Sequence, residues 1–294
     1  MRNAYTGATL RDDLGPQRPI RRARVPQPTE SNPLKRILAA ALIALPALAW
    51  AAPPPTVTPG KLSWGASPTF APFEFQRDGQ SVGFDVDMVA ELARRLSLQS
   101  AMLGMDFAGI IPAAQAHRID AAVSGMYITP AREEVLDFIP YLRIGDQMVV
   151  PKGNPAHLVD KDALCGHTIA VAVNTMYEKT AHGLNDACTK AGKPAINIHA
   201  VGNSAVVALT LAQGRAEGAI SSTSVITAMM SNSPDTFEPL GEPFNTNSRL
   251  GIGVAKTNPE LRDALTAALK AMHDNGTYAA MIKKWGLTAS SSIF

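Results

Sequence analysis

Apolar positions along this chain fall into short runs alternating with stretches at helical spacing, an order that predicts strands and helices in turn. Residues 61–67 read as a strand, and Phe70-Ala71-Pro72-Phe73 reads as a loop. Gly83-Phe84 leads into a helix beginning near Asp85, where Val89, Leu92, Ala93 and Leu96 recur on one face. Asp85 and Asp87 at its start suit the positive end of the helix dipole, and paired acids such as these and Glu133/Glu134 are expected at helix starts or on solvated faces. Residues 110–117 read as a second helix, and 119–124 as a short apolar strand of the buried parallel kind. Thr129-Pro130 has the form of an N-cap and first helical residue, opening a helix through about residue 136.

The second half repeats this grammar. Strands are expected at 169–173, 196–200 and 219–221, with helices at 175–190 and 206–213. Arg118-Ile119-Asp120-Ala121-Ala122-Val123-Ser124-Gly125 is echoed 97 residues later by Arg215-Ala216-Glu217-Gly218-Ala219-Ile220-Ser221-Ser222. Each copy follows an apolar helical stretch and ends in small residues, as expected of two lobes that each deliver a strand end to a shared cleft. Asn258-Pro259 caps a helix with Leu261, Leu265, Ala268, Leu269 and Met272 on one face. Asn275-Gly276 breaks it, residues 278–285 continue helically, and Gly286 ends them. The alternation predicts an α/β fold with mostly parallel sheets.

Charge changes the picture at one end. The formal net charge of the 294 residues is +2, but residues 1–52 hold eight Lys/Arg against three Asp/Glu, leaving −3 for the remainder. A basic stripe of the kind that binds nucleic acid is therefore not expected. Lys35-Arg36, an apolar run at 37–48 and Ala49-Trp50-Ala51 have the layout of a cleavable secretory signal. The run is short of the roughly 20 residues a membrane span needs. No Cys follows the small residues, so a lipid anchor is not indicated. Residues 1–32 are Arg- and Pro-rich without pattern, and 53–60 form a Pro-rich linker. Cys165 and Cys188 are the only cysteines; in an exported chain an even count suggests a disulfide, with two reduced thiols as the alternative. The six histidines lack pairing at metal-ligand spacing, so neither a metal nor a cofactor is expected.

Arg132 is the first candidate for chemistry. It lies just past the strand end at Ser124-Gly125, in the first turns of a helix, and a guanidinium fork matches a carboxylate bidentately. The alternative is a surface Arg paired with Glu133 or Asp137. Phe70, Phe73 and Phe107 lie in or beside loops, where aromatics either stack on a ligand or pack the core. Tyr127 offers a hydroxyl, and Asn174-Thr175 stands at a strand-to-helix junction that caps the helix or meets an anion. No nucleophile elbow, phosphate-cradling loop or metalloprotease motif occurs.

Several segments together resemble the extracellular solute-binding proteins of family 3, the polar amino-acid binders of ABC importers. They are Phe70-Ala71-Pro72-Phe73-Glu74, Val82-Gly83-Phe84-Asp85-Val86-Asp87, the stretch 105–112, the stretch from Arg118 to Arg132, and Asp137-Phe138. The likeness runs from about Lys61 to Leu287. It implies a two-lobed type II periplasmic-binding-protein clamp with two hinge crossovers. Lobe one would be 61–145 plus 249–294, and lobe two the insertion 146–248. It also implies a ligand that is an amino acid or another small carboxylate, a monomeric periplasmic protein, an inner-membrane ABC permease as partner and no catalysis. Arg132 would hold the ligand carboxylate with Ser124 and Gly125, Phe70 and Phe107 would face its side chain, and Tyr127 stands where the family has Ser or Thr. Thr175 and Met176 would touch the ligand from lobe two. The segments around Cys165 and Cys188 look like a subgroup with a bridge there. One departure matters: the position where the family carries an Asp for the ligand ammonium is Ser222. A ligand-sensing adaptor for a membrane receptor, or an enzyme like cyclohexadienyl or arogenate dehydratase, uses the same fold.

Overall fold

A computed structural model describes residues 53–294; the expected secretory signal lies outside the described residues. Among the described residues, eleven strands and eight α-helices follow one another in the alternating order the pattern predicts. The strands are β1 (Lys61–Ala66), β2 (Thr69–Phe70), β3 (Glu74–Arg77), β4 (Gln80–Val82), β5 (Gln99–Gly104), β6 (Ala121–Ala122), β7 (Leu136–Pro151), β8 (Thr168–Ala172), β9 (Asn197–Val201), β10 (Gly218–Ser222) and β11 (Phe237–Ala255). The helices are α1 (Phe84–Arg95), α2 (Phe107–Gln115), α3 (Pro130–Glu133), α4 (Met176–Lys190), α5 (Ser204–Ala212), α6 (Thr223–Asn232), α7 (Pro259–Asp274) and α8 (Thr277–Lys284).

Eight strands join in the order β5-β1-β6-β11-β7-β10-β8-β9, and β2-β3-β4 make a small second sheet. Within each outer wing the pairs are parallel: β5 with β1, β1 with β6, β10 with β8, and β8 with β9. The centre is antiparallel, because β7 and β11 run side by side from Leu136↔Ala255 to Phe237↔Pro151. Their register shifts between Leu240 and Phe244 and again between Phe244 and Ser248, opposite the segment around Asp146. The two long strands thus serve both wings, and they carry the two crossovers between them.

Local chemistry explains the helices. α1 buries Met88, Val89, Leu92 and Ala93 along one stripe, with Arg94 and Arg95 in its last turn. α7 starts at Pro259, with the Asn258 side chain accepting from the Leu261 N–H, and it buries the five apolar residues picked out by spacing. Three expectations are corrected. The helix opened by Thr129-Pro130 is one turn, not two, because Leu136 onward pairs with β11 as strand. The strand expected at 119–124 is cut to two residues, where β1 and β11 both reach it. Asp85 is not solvated: its side chain is buried in the core while Asp87 meets Lys284 and the Trp285 indole.

Cys165, in the loop before β8, is bonded to Cys188 on α4. The bridge closes a loop with a sequence separation of 23. On the chain-entropy account such a loop is worth about 3 kcal/mol. Cys165→Ser/Cys188→Ser should lower the unfolding free energy by about that amount in urea titrations. A loss below about 1 kcal/mol would show that the unfolded chain is not constrained by the bridge. No helix among the described residues is long and apolar enough to cross a membrane.

Candidate functional site

Between the two wings lies a cleft lined by residues of both. One wall is built by Ser67, Thr69, Phe70, Phe107, Ser124, Gly125, Tyr127 and Arg132. The other is built by residues at the starts of α4 and α5 and the strand ends before them: Ala172, Val173, Thr175, Met176 and Tyr177, then Gly202, Asn203 and Ser204. Helices that reach the cleft do so with their N-terminal residues: Phe107 opens α2, Met176 opens α4 and Ser204 opens α5. Such ends carry partial positive charge.

Arg132 is held from three sides. One guanidinium nitrogen donates to the Tyr127 carbonyl at 2.8 Å, and another reaches the Asn174 carbonyl on the opposite wall at 3.3 Å. The guanidinium carbon sits 5.4 Å from the centre of the Phe107 ring, a cation–π arrangement. No carboxylate forms an ion pair with it among the described residues; Asp137, the alternative partner, pairs instead with Arg262 at 2.9 Å and Lys256 at 3.5 Å. Burial without a counter-charge pulls the Arg132 pKa down from its usual value. The α3 cap is made by Thr129, whose hydroxyl accepts from the Arg132 N–H.

Beneath the first wall lies a polar layer. The Ser124 hydroxyl donates to Glu74 at 2.6 Å and accepts from the Ser67 N–H, while the Gly125 N–H donates to Asp85 at 2.9 Å. Their polar groups are thus engaged inward. Gly125 has φ +48° and a Cβ there would stand 2.4 Å from the Phe70 ring, so the ring closes over a backbone only glycine allows. Glu74 and Asp85 are both fully buried, and the second oxygen of each lacks a conventional donor. The two carboxyls influence each other, and a proton on Glu74 shared with Asp85 would satisfy both oxygens. Burial raises Glu74 well above the carboxylate range, and raises Asp85 to about 6.

Both groups hold protons more tightly folded than unfolded, so their contribution to stability is greatest below about pH 4 and is lost as pH rises through about 6. Glu74→Gln, which keeps a donor toward Asp85, should flatten that decline in urea unfolding series from pH 4 to 7. An unchanged slope would remove the pair as its source.

Eight of the ten expected site residues stand in the cleft wall: Phe70, Phe107, Ser124, Gly125, Tyr127, Arg132, Thr175 and Met176. Two do not. The Asn174 side chain is outside it, with only the carbonyl turned to Arg132. Ser222 is fully buried and spends its hydroxyl capping α6, accepting from the Val225 N–H at 3.3 Å. Thr175 likewise caps α4, its oxygen accepting from the Glu178 N–H. Phe73 is core, stacked on Phe70 with centroids 5.3 Å apart. Sequence reasoning missed Ser67, Thr69, Tyr177 and the Gly202-Asn203-Ser204 turn; only the last had a readable signal, a cap before an apolar helix.

Tyr127 and Tyr177 meet edge to face across the cleft, ring centres 5.7 Å apart. The Tyr127 hydroxyl donates to Asp146 at 2.6 Å, and Asn245 donates to the other oxygen of that carboxylate at 2.8 Å. This joins the cleft to the register shift between β7 and β11. The Tyr177 hydroxyl is buried beside Tyr127 and Ser222, and burial raises its pKa above the usual phenol range.

Relatives of known activity share this architecture. The arginine-binding protein ArgT of Corynebacterium glutamicum is 30% identical over 78% of this chain and 75% of its own length. The lysine/arginine/ornithine-binding periplasmic protein of Escherichia coli is 28% identical over 85% of this chain and 96% of its own. An ancestral arginine-binding protein bound to arginine superposes with a TM-score of 0.70 at 32% identity, covering 77% of this chain and 98% of that one. An ancestral amino acid-binding protein described as a precursor of cyclohexadienyl dehydratase gives 0.68 at 28% identity, covering 77% and 95%. The model of the bacterial extracellular solute-binding proteins, family 3, matches residues 62–288, and the chain belongs to that family.

Proposed function

We propose that this chain is the solute-capturing component of an ABC importer: a periplasmic, monomeric binding protein that closes two lobes around an amino acid or related small carboxylate and presents it to an inner-membrane permease. The observation that carries the reading is Arg132, a partly buried guanidinium without a carboxylate partner, in a cleft walled from both sides. A buried cation of this kind is stabilised by a guest's carboxylate. Phe70, Phe107 and Met176 supply apolar surface for the rest of the guest. Lobe two would swing about the crossovers near Asp146 and Ser248, where the register shifts support a bend. The names of the relatives, which bind arginine, lysine, ornithine, histidine or cystine, support the solute class.

The protein is read as non-catalytic. The relatives of similar sequence carry the names of binding proteins, not of enzymes. Incubation with prephenate should yield no new product. The deciding experiment is native mass spectrometry of protein purified from periplasm without added ligand. A co-purified mass of an organic carboxylate supports the reading. An empty protein that also shows no thermal shift with any carboxylate overturns it.

A further inference from the structure

One buried carboxylate stands where the two crossovers meet. Asp146 follows Gly145 on β7 and is 1% exposed. Its backbone belongs to the second wing, where it pairs with Ser222 of β10 and Phe244 of β11. Its side chain reaches the first wing. One oxygen accepts from the Tyr127 hydroxyl at 2.6 Å. Tyr127 is fixed to the first wing by a bridge to Leu250, and the N–H of the next residue, Ile128, donates to the Arg249 carbonyl. The other carboxylate oxygen accepts from the Asn245 side-chain amide at 2.8 Å, and Asn245 lies on the second crossover in the left-handed region, with φ +51°. Between the pairs Ile144↔Ser248 and Asp146↔Phe244, residues 245, 246 and 247 of β11 stand against Gly145 alone. A Cβ on Gly145 would lie 3.2 Å from the Thr246 methyl and 3.3 Å from the Phe244 carbonyl oxygen, so the two chains pass tightly here.

We propose that Tyr127, Asp146 and Asn245 form a clasp across the hinge, which favours the closed arrangement of the two lobes before any solute is bound. The proposal rests on the reading of the chain as a two-lobed clamp and adds to it a contribution to closure from the protein itself. A bend at Gly145 would carry Asp146 with the second lobe and leave Tyr127 on the first, so opening lengthens the bond between them. A hydrogen bond to a buried ionised acceptor is of the stronger kind. A serine or threonine at position 127, which the family resemblance leads one to expect, lacks the ring that carries the hydroxyl to Asp146. The same ring meets the Tyr177 ring of α4 edge to face, so Tyr127 touches the second lobe at two points. A clasp of this kind raises the fraction of protein competent to hold a solute, and apparent affinity rises in proportion.

Inter-lobe distances test it, measured by double electron–electron resonance with spin labels on Leu103→Cys in β5 and Leu209→Cys in α5, both exposed positions. The protein is first freed of solute by unfolding and refolding with the Cys165–Cys188 bridge intact. The otherwise wild-type chain should populate the short-distance state. Tyr127→Phe removes one oxygen and keeps the ring; it should raise the ratio of open to closed protein by about 10-fold, as expected on losing a hydrogen bond to a charged group. Asp146→Ala should also open the lobes, and the double variant should open them no further than the stronger single one, because both remove the same contact. A rise of less than about 3-fold in Tyr127→Phe overturns the proposal. So do effects that add in the double variant, or a wild-type chain that is open throughout. Tyr127→Phe decides alone if Asp146→Ala does not fold. The clamp reading is judged separately, by native mass spectrometry: a co-purified carboxylate leaves it standing where the clasp fails.

Discussion

Arg132→Ala should abolish the thermal stabilisation that the wild-type protein gains from its solute. The side chain is the one cation in the cleft wall, and it already bridges the walls by reaching the Tyr127 and Asn174 carbonyls. Truncating one member of a desolvated, hydrogen-bonded charge pair costs about 2–5 kcal/mol. That is a weakening of roughly 30- to several thousand-fold. The empty protein should be little affected, because the substitution also removes a buried charge that lacks a counter-ion. Arg132→Lys should recover only part of the affinity, since an ammonium cannot present two parallel donors to a carboxylate. Differential scanning fluorimetry and calorimetry on the same preparations separate the two effects. Wild-type affinity in the alanine variant would remove Arg132 from the site.

Gly83→Ala should be the most damaging small substitution in the first wing. Gly83 caps α1 with φ 143° and ψ 172°, a backbone region reserved for glycine. A Cβ there would stand 1.9 Å from the Phe73 carbonyl oxygen and 2.4 Å from its carbon. The obstacle is backbone, which cannot rotate aside. The Phe84 and Asp85 N–H groups meanwhile bond to the Pro72 and Phe73 carbonyls, so displacing the cap breaks the seam that carries Phe70 and the buried acids. The expected loss is about 3 kcal/mol or more, a fall in melting temperature on the order of 10 °C. Gly79→Ala is the control: its φ is +75° and nothing lies within 4 Å, so only the conformational cost of roughly 1 kcal/mol applies. Equal losses at the two positions would show that the clash is relieved.

Much of this architecture was legible from spacing. The stripe of α7, its Asn258-Pro259 start and the strands inside the repeated Arg-to-Ser segments follow from apolar periodicity and caps. The long strands β7 and β11 were not, although they organise the whole sheet. Pro140, Pro239, Pro243 and several glycines interrupt their alternation, and their pairing depends on partners about a hundred residues away. At the site, Arg132, Phe70 and Phe107 could be found because their motifs lie next to recognisable caps and turns. Tyr177 could not, since only the meeting of two walls brings its ring against Tyr127. The Glu74–Asp85 pair was hidden for a related reason: an acid in the first turn of a helix reads as a partner for the dipole, and burial depends on what packs above it.

The paired passage of β7 and β11 through the middle of the sheet has a mechanical consequence. Two ribbons tied edge to edge by their own amides resist sliding past one another and yield more readily to torsion where the tie loosens, near Asp146 and Phe244. A lobe closing as proposed on such a strap would swing on a nearly fixed arc. Each closure would bring the same residues of one jaw opposite the same residues of the other, so a short strap far from the guest would set which atoms grip it.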